Sequence, residues 1–95
     1  MERIDQHSVL RRRNDIRFRI VDGEAVVVRQ KAAEVLVLNE LGGRILALAD
    51  GVSPVSAWVE TLAGEYDVER AALERDVMAF VAELTASELL EITSG

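Results

Sequence analysis

Residues 16–38 read IRFRIVDGEAVVVRQKAAEVLVL, and the fold class follows from how their apolar positions alternate. Ile16, Phe18 and Ile20 alternate with Arg17 and Arg19, the period of a strand with one buried face. Asp22-Gly23 comes next, a pair that accepts the positive φ values of a two-residue hairpin turn. Val26-Val27-Val28 is a β-branched run suited to the returning strand. After the weaker connection Lys31-Ala32-Ala33, Glu34-Val35-Leu36-Val37-Leu38 reads as a third strand. Three strands joined by short links form an antiparallel meander.

Helical spacing takes over at Asn39, whose side chain can accept a first-turn amide proton and cap a helix. Leu41, Ile45 and Leu48 carry that helix. Gly42 and Gly43 weaken it by up to about 1 kcal/mol each relative to Ala, so close approach of the helix backbone to the sheet is their expected use. Asp50-Gly51 closes the helix. Ser53-Pro54 opens the next, with Ser as cap and Pro at the first helical position. Val55, Val59, Leu62 and Tyr66 share one face of it, with Trp58 beside them. Asp67 is expected to cap the third and longest helix, where Leu73, Val77, Phe80, Val81 and Leu84 form an amphipathic stripe. Leu89-Leu90-Glu91-Ile92 is either a last helical turn or a short extended tail. Residues 1–8 lack periodicity and are expected to fray. Arg11-Arg12-Arg13 is a short basic lead-in. The order β-β-β-α-α-α defines an α+β class, as a single domain over residues 1–95.

Apolar residues make up 49% and charged residues 29% of the chain, a globular composition and not a disordered one. No apolar run reaches the roughly 18 residues of a membrane span. The first residues lack the apolar core of a signal peptide, so a cytoplasmic domain is expected. The chain has no cysteine, which removes disulfides, thiolate metal sites and cysteine nucleophiles. The net charge of −6 is unevenly spread. Residues 1–31 hold eight Arg/Lys and five Asp/Glu, a net of +3; residues 32–95 hold three Arg and twelve Asp/Glu, a net of −9.

Catalysis is poorly supplied. His7 is the single histidine, and no cluster of N or S donors offers a zinc site. Glu69, Glu74, Asp76 and Glu83 are scattered around one helix with Arg70 and Arg75 between them. Gly42-Gly43 lacks the further glycines and the Lys-Ser/Thr step of a phosphate loop. Neither enzyme nor cofactor is expected. A small sheet with three helices is winged helix-turn-helix-like, which raises DNA binding as an alternative. The third helix, however, sets two Arg against five acidic residues including Asp67, and phosphate repels such a face. The sheet itself is the remaining resource. Glu34 to Leu38, last in the meander, is an edge whose unpaired N–H and C=O groups can template another chain. A homodimer pairing through that edge is the other alternative.

Leu36-Val37-Leu38-Asn39-Glu40-Leu41-Gly42, Ile45-Leu46 and Asp50-Gly51 resemble the PqqD family. So do Tyr66-Asp67-Val68, Asp76-Val77, Phe80-Val81, Leu84 and Leu89-Leu90, and the likeness covers about residues 9–92. Two positions depart from it. Glu88 stands where the family usually has a small residue before Leu89-Leu90, and Lys31-Ala32-Ala33 lacks the Pro or Gly often found in that turn. The resemblance implies a non-catalytic recognition domain. Such a domain binds the leader of a ribosomally made precursor peptide as a strand beside the third strand, in a groove walled by the third helix. It then presents the leader to a modifying enzyme, often a radical-SAM protein, in pyrroloquinoline quinone synthesis or a related pathway. Neither nucleic acid nor membrane is an expected partner.

On that basis the peptide-binding residues are expected to be Glu34, Val35, Leu36, Val37 and Leu38 on the edge, with Arg75, Asp76, Ala79, Phe80 and Glu83 on the helix. Leu36 and Leu38 should face the core, and Val35 and Val37 away from it. Ala79 would leave room for an apolar leader side chain, and Arg75 and Asp76 would set register through charge.

Overall fold

A computed structural model describes residues 3–94 of the chain. In chain order the elements are β1 (Val9–Arg12), β2 (Ile16–Val21), β3 (Glu24–Arg29), β4 (Glu34–Leu38), α1 (Glu40–Leu48), β5 (Asp50–Pro54), α2 (Val55–Glu65), α3 (Arg70–Ala86) and β6 (Leu90–Ser94). The expected meander is present as the sheet β2-β3-β4. Its hairpin pairs Val21 with Glu24 across Asp22-Gly23, and both turn residues take positive φ, 51° and 85°. The α+β class and the three helices agree with the sequence reading; the winged-helix likeness is only a loose analogy.

A second three-stranded sheet, β5-β1-β6, was not expected. Leu10, the inward residue of β1, is fully buried, but a four-residue strand with two arginines carries too little period to announce itself. β5 contains a glycine at φ 79° and ends on proline. The tail is thus extended, and β1 pairs it through Arg12↔Leu90 and Leu10↔Ile92. Residues 5–8, expected to fray, are tied down. Ser8 is buried, its carbonyl accepts from the Val55 N–H at 3.0 Å, and the Gln6 carbonyl accepts from Ser56 at 2.9 Å. The first two residues of the N-terminal segment lie outside the described residues.

Helix capping follows expectation at one terminus of three. The Asn39 side chain accepts from the Gly42 N–H at 2.9 Å. Ser53 does not cap α2: it sits in β5, and Pro54 takes the cap position with no side-chain bond. Asp67 does not cap α3, which starts at Arg70 after Glu69, again without a side-chain cap. Buried packing fixes both helix starts instead. α2 seats Val55, Trp58, Val59 and Leu62 in the core, and α3 seats Leu73, Val77, Val81 and Leu84. Gly43 lets α1 approach β3, because a Cβ there would lie 3.1 Å from that of Ala25 and 3.2 Å from Ile20 Cδ1. α1 ends on a basic plug from the second sheet: Arg12 Nη1 donates to the Leu46 carbonyl at 2.6 Å, satisfying a group that every helix C-terminus leaves open.

Candidate functional site

The free edge of β4 can be read from hydrogen-bond parity. In a two-residue hairpin the closing pair exchanges both backbone bonds. Val21 and Glu24 therefore face one another, as do Arg19 with Val26 and Arg17 with Val28. The Gln30 N–H donating to the Asp15 carbonyl at 3.0 Å continues the same series. Ala25, Val27 and Arg29 must then turn their backbone groups toward β4, where they pair with Leu38, Leu36 and Glu34. Val35 and Val37 are left with N–H and C=O pointing outward from the sheet.

Side chains alternate in the same rhythm. Val35 and Val37 stand on the outer face at 62% and 60% exposure. Leu36 and Leu38 turn inward and pack against the core. Beside them runs a groove of about 320 Å³ between β4 and the second half of α3. Leu36, Val37 and Leu38 form its strand wall, Phe80, Glu83 and Leu84 its helix wall, and Leu89 its floor. Phe80, placed on the core stripe by its spacing, is half-buried and serves both core and groove. A second depression of about 430 Å³ continues past Leu36 to Glu34, Ala86 and Glu88. The start of β4 thus lies opposite the end of α3.

Arg29 holds that end together. Its side chain is 11% exposed and pairs with Glu34 at 3.0 Å. It also donates to the Glu88 carbonyl at 3.1 Å and to the Ser87 carbonyl. A cation at a helix C-terminus is favourable, and here it fastens α3 to the sheet that supplies the edge. α3 stops in a Schellman turn: the Leu89 N–H donates to the Leu84 carbonyl at 2.8 Å and the Glu88 N–H to the Thr85 carbonyl at 3.0 Å. Glu88 therefore sits at φ 61°, and Ala33, in the turn before β4, at φ 51°. At the other end, the Tyr66 hydroxyl donates to Glu40 at 2.8 Å and braces the first turn of α1, directly after the edge. Burial, and then this bond, push the Tyr66 hydroxyl up to about 12.

Of the residues expected to form the site, Leu36, Val37, Leu38, Phe80 and Glu83 line the groove, and Glu34 lines its continuation. Val35 contributes open-edge backbone. Arg75, Asp76 and Ala79 are exposed on α3 outside both linings, toward its N-terminus. Arg29, Leu84, Ala86, Ser87 and Leu89 were not anticipated. Leu84 shares the helical face of Phe80, which is a usable signal. Arg29 and Ser87 carry no sequence signal, because they meet only in the folded chain.

The small α+β architecture that carries this open edge is shared with two proteins solved with leader peptides. The chain superposes on TbiB1, solved in complex with the TbiA(beta) leader peptide, with a TM-score of 0.75 and 27% identity over 85% of this chain and 94% of that one. A lasso peptide synthetase B1 complexed with its leader peptide matches with a TM-score of 0.73 and 26% identity, over 86% and 96%. The chain belongs to the PqqD family: the family model described as coenzyme PQQ synthesis protein D matches residues 24–90, from β3 to the start of β6. A PqqA binding protein of Rhodopseudomonas palustris (strain ATCC BAA-98 / CGA009) is 42% identical over 50 residues, 53% of this chain. That match spans 49% of the relative's own length. Among the described residues no helix is long and apolar enough to cross a membrane.

Proposed function

We propose that the protein captures the leader segment of a ribosomally made precursor peptide as an added strand on β4 and presents it, without catalysis, to a modifying enzyme. The enzyme is of the radical-SAM kind, and the complex assembles in the cytoplasm. The observation that carries this reading is the open N–H and C=O of Val35 and Val37 beside the apolar groove. Backbone pairing gives such a peptide its affinity, and the groove selects alternate side chains. The PqqD family and the PqqA binding relative support a PqqA-like precursor.

In this arrangement Glu34 to Leu38 supply the edge, while Phe80 and Glu83 form the helix wall. A leader running past Leu38 meets the N-terminal half of α3. There Asp76 precedes Phe80 by one turn on the same face, with Arg75 and Ala79 adjacent. These three recognise leader residues outside the groove. Ordering a disordered peptide costs about 2–5 kcal/mol, so one or two apolar anchors must accompany the backbone bonds.

The test is a titration of PqqA peptide into isotope-labelled protein, read by calorimetry and amide NMR. Micromolar or tighter binding, about −8 kcal/mol or better, with shifts concentrated at residues 34–38 and 80–87, is the expected result. Val37→Pro removes an outward N–H and leaves the β3–β4 ladder intact, so it should weaken binding about tenfold or more in a protein that still folds. Unchanged affinity in folded Val37→Pro would sink strand addition at this edge.

A further inference from the structure

The other edge of the same sheet is built for a different visitor. The parity that frees Val35 and Val37 on β4 also frees Phe18 and Ile20 on β2, and neither has a backbone partner beyond the sheet among the described residues. Ile16 is excluded from the open stretch, because its N–H donates to the Arg13 carbonyl at 3.3 Å. Beside this edge lies a trough of about 690 Å³. Arg12, Arg17 and Arg19 line it together with Phe18, Val21 and Val28, and no carboxylate does. Arg12 is held in place by its bond to the Leu46 carbonyl, and its guanidinium lies 5.6 Å from the centre of the Phe18 ring. Arg17 and Arg19 form no ion pair among the described residues, whereas Arg11, Arg13, Arg29, Arg44 and Arg70 all do.

Among the described residues, two arginines without an ion pair thus stand two apart on an open strand, in a chain of net charge −6. Charges on an edge block indiscriminate pairing. The same charges welcome a strand that sets carboxylates across from them, since opposite charges on paired strands attract. We propose that the β2 edge is a second docking site, which takes an acidic extended segment of a partner protein as a strand with its carboxylates opposite Arg17 and Arg19. A second copy of this chain does not fit: antiparallel β2–β2 pairing would set these arginines against each other. The site lies beyond leader capture and is compatible with it, because the two guests occupy opposite edges of one sheet.

The probe is a synthetic peptide of about ten residues, the length of a long strand, alternating Glu and Val, with a counterpart in which Lys replaces Glu. Titrated into isotope-labelled protein, the acidic peptide should shift amides of residues 16–21 and leave 34–38 unmoved. It should bind about tenfold tighter than the lysine peptide, and the difference should shrink as salt screens it. The double variant Arg17→Glu, Arg19→Glu should lose the acidic peptide and gain the lysine one. That gain separates lost charge from lost fold. PqqA binding at β4 should be unchanged in the variant, and its failure in the wild-type protein would bear on the leader reading alone. Equal binding of both peptides, shifts at 34–38, or no shifts at millimolar peptide would overturn the proposal. So would peptide-free, concentration-dependent shifts at 16–21, which would give the edge to a second copy.

Discussion

At β4 the open edge carries Val35 and Val37, largely exposed, beside a groove walled by Phe80 and Leu84. At β2 it carries Arg17 and Arg19 beside a trough whose charged groups are all cations. The backbone offer is the same in both places: alternate residues with unpaired N–H and C=O. What differs is the pair of side chains on the outer face, and that difference decides which strand can join. An apolar edge accepts many extended peptides and relies on its groove for selection. A charged edge refuses most and relies on complementary charge. On the two proposed readings, one sheet holds two edges that do not compete for the same guest.

Substitutions that treat the parity as a testable claim give the largest effect. Leu36→Pro deletes an N–H bonded to β3 and should cost about 3 kcal/mol or more, seen as a collapsed urea midpoint. Val37→Pro, one residue along, should stay within about 1 kcal/mol of the parent, because proline is tolerated where the N–H faces outward. Equal loss at the two positions would break the assignment of the open edge.

Arginine can be compared between the central strand, where Arg29 reaches toward β4, and the β2 edge. Arg29→Ala strips a charged donor from the Ser87 and Glu88 carbonyls and leaves Glu34 unpaired. Chemical denaturation should show a loss of about 1–3 kcal/mol. Arg17→Ala at the β2 edge touches no such partner and should change stability by less than about 0.5 kcal/mol. Similar losses would mean that Arg17 is structural and that the contrast between the edges is misdrawn.

The smallest effect is a gain. Glu88, which lines the groove's continuation, and Ala33, in the turn before β4, both sit in left-handed backbone. Glu88→Gly should stabilise by about 1 kcal/mol, and Ala33→Gly should act in the same direction, each read as a raised urea midpoint. A loss in either would show that the side chain there makes a contact that outweighs its backbone strain.

The meander, its hairpin turn, the Asn39 cap and the inward-outward assignment of residues 35–38 were legible because each is a local pattern. Alternation, a Gly at a turn and a capping Asn are written within a few neighbouring residues. The sheet β5-β1-β6 was not legible, since Leu10 is the single fully buried residue of β1 and its partners lie 40 and 80 residues away. The helix wall was partly legible. The family resemblance set Phe80 and Glu83 beside the third strand, and both line the groove there, but it could not tell how far along the strand α3 is shifted. The true alignment brings the end of α3 to the start of β4, so Ala86 and Ser87 line the depressions where Arg75 and Ala79 were expected. The family departures near Ala33 and at Glu88 were visible in sequence, but the positive φ that both residues adopt was not.

The pairing of β1 with β6 joins residues from opposite ends of the chain, Arg12 with Leu90. Closing contacts so distant in sequence costs more chain entropy than closing two hairpins with short turns. The β4 edge is built within one local meander, whereas Leu89 in the groove lining adjoins a strand paired with the far end of the chain. The two parts of the site thus rest on different kinds of contact. The open amides depend on neighbours in sequence, and the surface beside them depends on the two ends of the molecule meeting.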